Sequence, residues 1–97
     1  LGLTKTLSRE LGEFGICVNA ILPGAVDGPR LQQVLAGRAQ ITGRSLEQEE
    51  AGALANQSLK QFVRSDDIAA LAVFLTSSGA RAISGQALCV DGDSQMI

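Results

Sequence analysis

Apolar residues recur at helical spacing at the start of the chain. Leu3, Leu7, Leu11 and Phe14 are separated by charged and polar positions, which predicts an amphipathic helix that Gly15 ends with a left-handed cap. The pattern is already running at the first residue, with no capping residue before it, so we expect this helix to begin upstream.

A second clear helical pattern follows Ser65, which we expect to cap it. Two aspartates come next and favour the positive end of a helix dipole. Positions 68, 71, 72 and 75 then form one apolar face. We expect this helix to continue to Gly79.

Two short runs, residues 16–22 and 86–90, are apolar on both faces, which is typical of strands covered by helices on both sides. Asn19 is the exception in the first run, and we expect its amide to satisfy backbone groups. Asp91-Gly92-Asp93 predicts a turn after the second run.

The segment between these patterns predicts two helices. Pro29 can open a helix over residues 30–39, with an apolar stripe of Leu31, Val34 and Leu35. Ser45 and Gln48 form a capping-box pattern that predicts a helix over residues 46–59. The helical insert 30–61 is either a mobile lid or a pair of ordinary surface helices.

The resulting order is helix, strand, helical insert, helix, strand, which is typical of an α/β protein with a parallel sheet. Two strands that are apolar on both faces do not form a stable sheet by themselves. We therefore expect further strands, either from residues before Leu1 or from another chain.

Composition narrows the class of protein. The chain has 97 residues, is 45% hydrophobic and carries a net charge of -2, which fits one globular domain or part of one. No run of Lys or Arg is present, which argues against nucleic acid and anionic membrane surfaces as partners. With neither a membrane-span pattern nor a signal-peptide pattern, a cytoplasmic location is the default expectation.

The chemistry-bearing residues are few. Cys17 and Cys89 lie in apolar runs, and without histidine they predict no metal site. We interpret them as two reduced, buried thiols; a disulfide between neighbouring strands is the alternative. The sequence has no His, Tyr or Trp, so the commonest general base and the phenolic acid are both missing, and we assign no catalytic residue.

Pro23-Gly24 stands where the first strand should end, and ligands bind beyond the carboxyl ends of strands in open parallel sheets. Proline ends sheet pairing, while glycine lets the backbone come close to a flat ligand. Ala25 and Val26 can then offer free backbone N–H and C=O groups to an amide such as a nicotinamide carboxamide. A plain turn is the alternative.

Three blocks, GLTKTLSRELGEFGICVNAILPGAV, SDDIAALAVFLTS and ISGQALCVDGD, together resemble the C-terminal part of the short-chain dehydrogenase/reductase family, in the branch that contains β-ketoacyl reductases. The resemblance implies a single domain with a Rossmann-type doubly wound parallel sheet, of which residues 1–97 supply the C-terminal portion. It also implies NAD or NADP as cofactor and a homo-oligomer, a dimer or tetramer.

The same resemblance implies roles for particular residues. Pro23, Gly24 and Val26 match the motif that holds the nicotinamide end of the cofactor, Val26 through its backbone, and Ala25 joins them through the backbone groups that it can offer. The insert corresponds to the substrate lid, where we expect Leu31, Val34 and Leu35 to face an alcohol or ketone. Many members have Thr or Ser where this sequence has Gly28, so a side-chain contact with the cofactor is lost there.

The family's glycine-rich phosphate loop and its catalytic Ser and Tyr-x-x-x-Lys belong to the part before these residues. The leading hypothesis is therefore an NAD(P)-dependent oxidoreductase that interconverts an alcohol and a ketone by hydride transfer. The alternative is a non-catalytic, truncated association module that assembles with a partner chain.

Overall fold

A computed structural model describes residues 1–95 of the chain. Its helices and strands are α1 (Gly2–Leu11), β1 (Ala20–Pro23), α2 (Pro29–Thr42), α3 (Leu46–Ala53), α4 (Ser65–Leu75) and β2 (Ala87–Val90), with short 3₁₀ helices at Gly12–Phe14 and Ser78–Ala80. The chain divides into two compact units. Unit 1 contains residues 1–22 and 66–90, and unit 2 contains residues 23–65 and the described residues after 90.

The two strands form a parallel sheet, as the sequence predicts. The Gly85 N–H donates to the Val18 oxygen at 2.7 Å, and the Ala20 N–H donates to the Gln86 oxygen at 2.9 Å. Residue numbers therefore rise together along both strands, which is the parallel arrangement. The α/β class is confirmed.

β1 begins at Ala20, four residues later than predicted, because side chains supply part of the pairing before it. The Val18 N–H donates to the Ser84 hydroxyl at 3.0 Å. The Asn19 amide donates to the Ile83 oxygen at 3.0 Å and accepts from the Gln86 N–H at 3.1 Å. The expectation that Asn19 satisfies backbone groups is confirmed.

In unit 1, one helical segment ends where the sequence predicts and another ends earlier than predicted. Gly15 is left-handed, with φ 74°, and closes the 3₁₀ turn that follows α1, as predicted. α4 stops at Leu75 rather than at Gly79, because the hydroxyl groups of Thr76 and Ser77 donate to backbone oxygens of its last turn.

The cysteines correct one expectation. Both thiols are free, as predicted, but Cys17 and Cys89 are exposed rather than buried. The sheet register sets them about five residues apart along neighbouring strands, roughly 16 Å, which excludes a disulfide between them. The Cys17 thiol donates instead to the Arg81 oxygen at 3.4 Å.

Unit 2 is built around Leu35 and Val63, which are 0% and 5% exposed. α2 begins at Pro29 and α3 begins after a complete Ser45–Gln48 capping box, both as predicted. α3 ends at Ala53 instead of continuing to residue 59. The Ala55 and Gln57 N–H groups donate only three residues back, and those of Ser58 and Leu59 donate to oxygens of the turn after β2. Within residues 1–95, no helix has the length and apolar character that a membrane span requires.

Candidate functional site

The loop of residues 23–28, here called the post-β1 loop, leads from Pro23 at the end of β1 to the start of α2. Val26 forms an isolated parallel bridge with Val63. The Asp27 N–H donates to the Val63 oxygen at 2.7 Å, and the Val63 N–H donates to the Ala25 oxygen at 2.9 Å. A buried residue far along the chain therefore holds one side of the loop.

The bridge determines which backbone groups of the loop already form hydrogen bonds within the protein. Alternate peptide groups of an extended chain point to opposite sides, so the bonds of Ala25 and Asp27 to Val63 turn the N–H and C=O of Val26 away from it. The expectation that Ala25 offers a free C=O is wrong, because Val63 takes that oxygen. The N–H and C=O of Val26 therefore face outward in the sense that they point away from Val63.

Gly24 is held in close contact with the residue that follows β2. A Cβ at Gly24 would lie 2.8 Å from both Cα and Cβ of Asp91 and 3.3 Å from its oxygen. Real Cβ atoms do not approach backbone this closely. Packing against Asp91 therefore requires glycine at this position, and the close approach of a ligand to Gly24 stays a prediction.

Gly28 precedes α2 in an extended conformation, with φ 164° and ψ 176°, and makes no side-chain cap. A Cβ there would meet nothing within 4 Å. Extended backbone is open to any residue, so glycine is not required at this position by space or by conformation. The position therefore has room for the Thr or Ser that it lacks.

The three apolar residues expected to contact substrate lie on α2 in different environments. Leu31 is partly buried, Val34 is 44% exposed and Leu35 is fully buried. Leu31 and Val34 retain surface that another molecule can touch. Leu35 has none and belongs to the core of unit 2.

The joint between α2 and α3 holds a buried carboxylate that sequence reasoning missed. Glu49 is 8% exposed, and its Oε1 accepts from the Thr42 hydroxyl at 2.8 Å. The Arg44 guanidinium lies 3.9 Å from the same oxygen. Gly43 makes the turn between the helices with φ 75°. No sequence signal distinguishes Glu49 from the other acids of α3, because its burial depends on how the two helices fold together.

Comparison with known proteins identifies the family. A family model described as enoyl-(acyl carrier protein) reductase matches residues 1–93, which is nearly the whole chain. The chain belongs to the short-chain dehydrogenase/reductase family. The sequence resemblance to short-chain dehydrogenases is confirmed.

Individual members of the short-chain dehydrogenase/reductase family agree with this assignment. D-beta-hydroxybutyrate dehydrogenase from Cupriavidus necator is 40% identical over 93 residues, which cover 95% of this chain and 36% of that protein. The chain therefore spans little more than a third of that relative's length.

Solved structures of short-chain dehydrogenases show the same fold. L-sorbose reductase from Gluconobacter frateurii, solved with NADPH and L-sorbose, has a TM-score of 0.86 and 27% identity, covering 99% of this chain and 37% of that one. A 4-hydroxyisoleucine dehydrogenase solved with NADH has a TM-score of 0.67 and 29% identity, covering 95% of this chain and 33% of that one. The Rossmann-type fold class is confirmed.

Proposed function

We propose that this chain supplies the nicotinamide-side loop and a substrate-contacting helix of an NAD(P)-dependent oxidoreductase that interconverts an alcohol and a ketone. The observation that carries the proposal is the outward-facing N–H and C=O of Val26, set by the Val63 bridge. A carboxamide needs one donor and one acceptor side by side, and one residue's peptide groups provide both. Family membership and the relatives solved with NADPH and NADH support the same cofactor class.

Within this proposal each predicted residue has a physical task. Pro23 ends the strand, Gly24 allows the loop to lie against Asp91, and Ala25 ties the loop to Val63. Val26 binds the carboxamide of the cofactor. When bound, the nicotinamide supplies hydride transfer.

The accessible apolar surface of Leu31 and Val34 faces the alcohol or ketone, while Leu35 anchors α2 in the core. The sequence has no His and no Tyr, so the acid–base group comes from outside these residues, where the family's Tyr and Lys belong. The proposal takes NAD or NADP as the cofactor, because the residue that distinguishes their riboses follows an early strand of the fold.

The test is cofactor binding and turnover by the intact protein. Fluorescence titration with NADH and with NADPH should give saturable binding of at least one. A panel of secondary alcohols that includes D-3-hydroxybutyrate should produce reduced nicotinamide. A protein that binds neither cofactor contradicts the proposal.

A second candidate is a non-catalytic association module that assembles with a partner chain. Unit 1 favours it through large apolar side chains at its surface: Leu3 is 71% exposed, Phe14 69% and Val73 69%. Such exposure is typical of surfaces that further protein covers. Saturable cofactor binding together with turnover contradicts this candidate.

The oxidoreductase proposal includes a homo-oligomer, which light scattering should report as a dimer or tetramer. The cytoplasmic location stays a prediction.

A further inference from the structure

The side chain of Gln57 is buried in unit 2, with 6% of the residue exposed. Its Nε2 donates to the Leu59 oxygen and to the Gln61 oxygen, each at 2.7 Å. The backbone after α3 therefore folds round this amide, and both of its N–H groups are used. A buried polar group with two such bonds fixes the segment it serves.

The turn after β2 packs directly on the same amide. A side chain at Gly92 would occupy the position of the Gln57 amide, and Gly92 has a left-handed φ of 65°. The Ser58 N–H donates to the Asp93 oxygen and the Leu59 N–H to the Gly92 oxygen, both at 2.9 Å. Gln57 and its neighbours thus join the segment of residues 56–61 to the turn after β2.

Both of the parts that Gln57 joins continue to the post-β1 loop. Two residues beyond Gln61, Val63 forms the bridge that turns the Val26 peptide groups outward. Next to Gly92, Asp91 is the residue against which Gly24 packs. The loop is therefore held by two residues, Val63 and Asp91, and each lies within two residues of a contact of the Gln57 amide.

We propose that Gln57 is a positioning residue for the nicotinamide: it sets the post-β1 loop without touching the cofactor. This inference rests on the proposed function, because that function makes the nicotinamide the ligand of the loop. A displacement of the loop misaligns the Val26 donor and acceptor, and poorly aligned groups lose affinity for a rigid amide.

The chemistry of the site explains why an amide is needed. Two carbonyl oxygens face one nitrogen, and only a group with two N–H donors satisfies both. Glutamate has nearly the same shape as glutamine but supplies at most one donor, and when ionised it repels both carbonyls. Gln57→Glu is therefore a small change in volume and a large change in hydrogen bonding.

The matched control is Thr42→Val, which is also nearly isosteric and removes the hydroxyl bonded to Glu49 in the same unit. Neither residue belongs to the post-β1 loop. Each variant of the intact protein is measured in two ways: amide hydrogen exchange at Asp27 and Val63, and the dissociation constants of NADH and NADPH. Should Gln57→Glu fail to fold, Gln57→Met removes both donors without adding a charge and is compared in the same way.

Gln57→Glu is expected to accelerate exchange at Asp27 and Val63 about tenfold relative to Thr42→Val, and to raise the cofactor dissociation constant about tenfold, because buried groups left without a hydrogen-bond partner carry a cost of that order. The Michaelis constant for the cofactor should rise, with kcat changed less than about twofold, since the loss is in binding.

Exchange at these two amides that matches the control overturns the inference. Accelerated exchange with an unchanged dissociation constant also overturns it. If the unaltered protein binds neither cofactor, the proposed function fails, and the exchange result, which needs no ligand, separates that failure from a failure of the Gln57 contacts.

Discussion

Substitution of Gly24 by alanine tests the packing of the post-β1 loop. The new Cβ would lie 2.8 Å from two carbon atoms of Asp91. Contact between carbon atoms is optimal at about 3.5–4.0 Å, so the overlap is about 0.7 Å or more. The φ of Gly24 lies outside the range of +20° to +160° that L side chains rarely adopt, so the cost is steric rather than conformational. Overpacking against backbone costs about 1–3 kcal/mol of folding free energy.

The matched variant is Gly37→Ala in the middle of α2, where a Cβ would meet nothing within 4 Å. Glycine inside a helix is less stable than alanine by about 0.5–1 kcal/mol, so this change should stabilise the protein. The same substitution is thus expected to lower the free energy of unfolding at Gly24 and to raise it at Gly37. Urea unfolding should show a lower midpoint for Gly24→Ala and a higher one for Gly37→Ala. A midpoint for Gly24→Ala at or above that of the unaltered protein would show that Gly24 does not pack tightly against Asp91.

Three further changes have expected outcomes. Gly28→Thr should alter the free energy of unfolding by only a few tenths of a kcal/mol, since Thr and Gly are similar N-caps, and should tighten cofactor binding by about two- to tenfold if its hydroxyl adds one hydrogen bond; fluorescence titration checks this, and unchanged affinity counts against it. Asn19→Asp removes the donor to the Ile83 oxygen and should lower the free energy of unfolding, measured in urea, by about 1–3 kcal/mol. A loss near zero would contradict the role of Asn19 in joining the two strands. Leu35→Ala should cost about 2–5 kcal/mol, whereas Val34→Ala, at 44% exposure, should cost well under half as much; equal midpoints would show that Leu35 is not the core of unit 2.

Signals that act within a few residues predicted the structure well. The Ser45–Gln48 capping box, the left-handed Gly15 and the opening proline of α2 all lie where the sequence indicates, because each depends on hydrogen bonds or dihedral angles of its own turn. Asn19 was also identifiable, since a lone amide in an apolar run needs partners.

Features that depend on distant partners were not predictable. Val63 and Asp91 hold the post-β1 loop, yet each lies tens of residues along the chain from it, and no local pattern at either residue indicates this contact. Sequence reasoning therefore gave Ala25 a free oxygen and did not find the contact of Gly24 with Asp91. The prediction that the cysteines are buried was wrong for a related reason. Apolar neighbours in sequence do not determine which side of a strand another element covers.

The amide ¹H–¹⁵N shift of Val26, followed during titration of the intact protein with NADH and NADPH, shows whether the post-β1 loop holds the nicotinamide. A saturable shift is expected at Val26 with one of these cofactors, and no comparable shift is expected at Gly37 on α2. A cofactor analogue with an acetyl group in place of the carboxamide should bind more weakly and move Val26 less. Saturation of the protein with cofactor while the Val26 amide stays unmoved, or no saturable binding of either cofactor, would contradict the claim that this loop holds the nicotinamide.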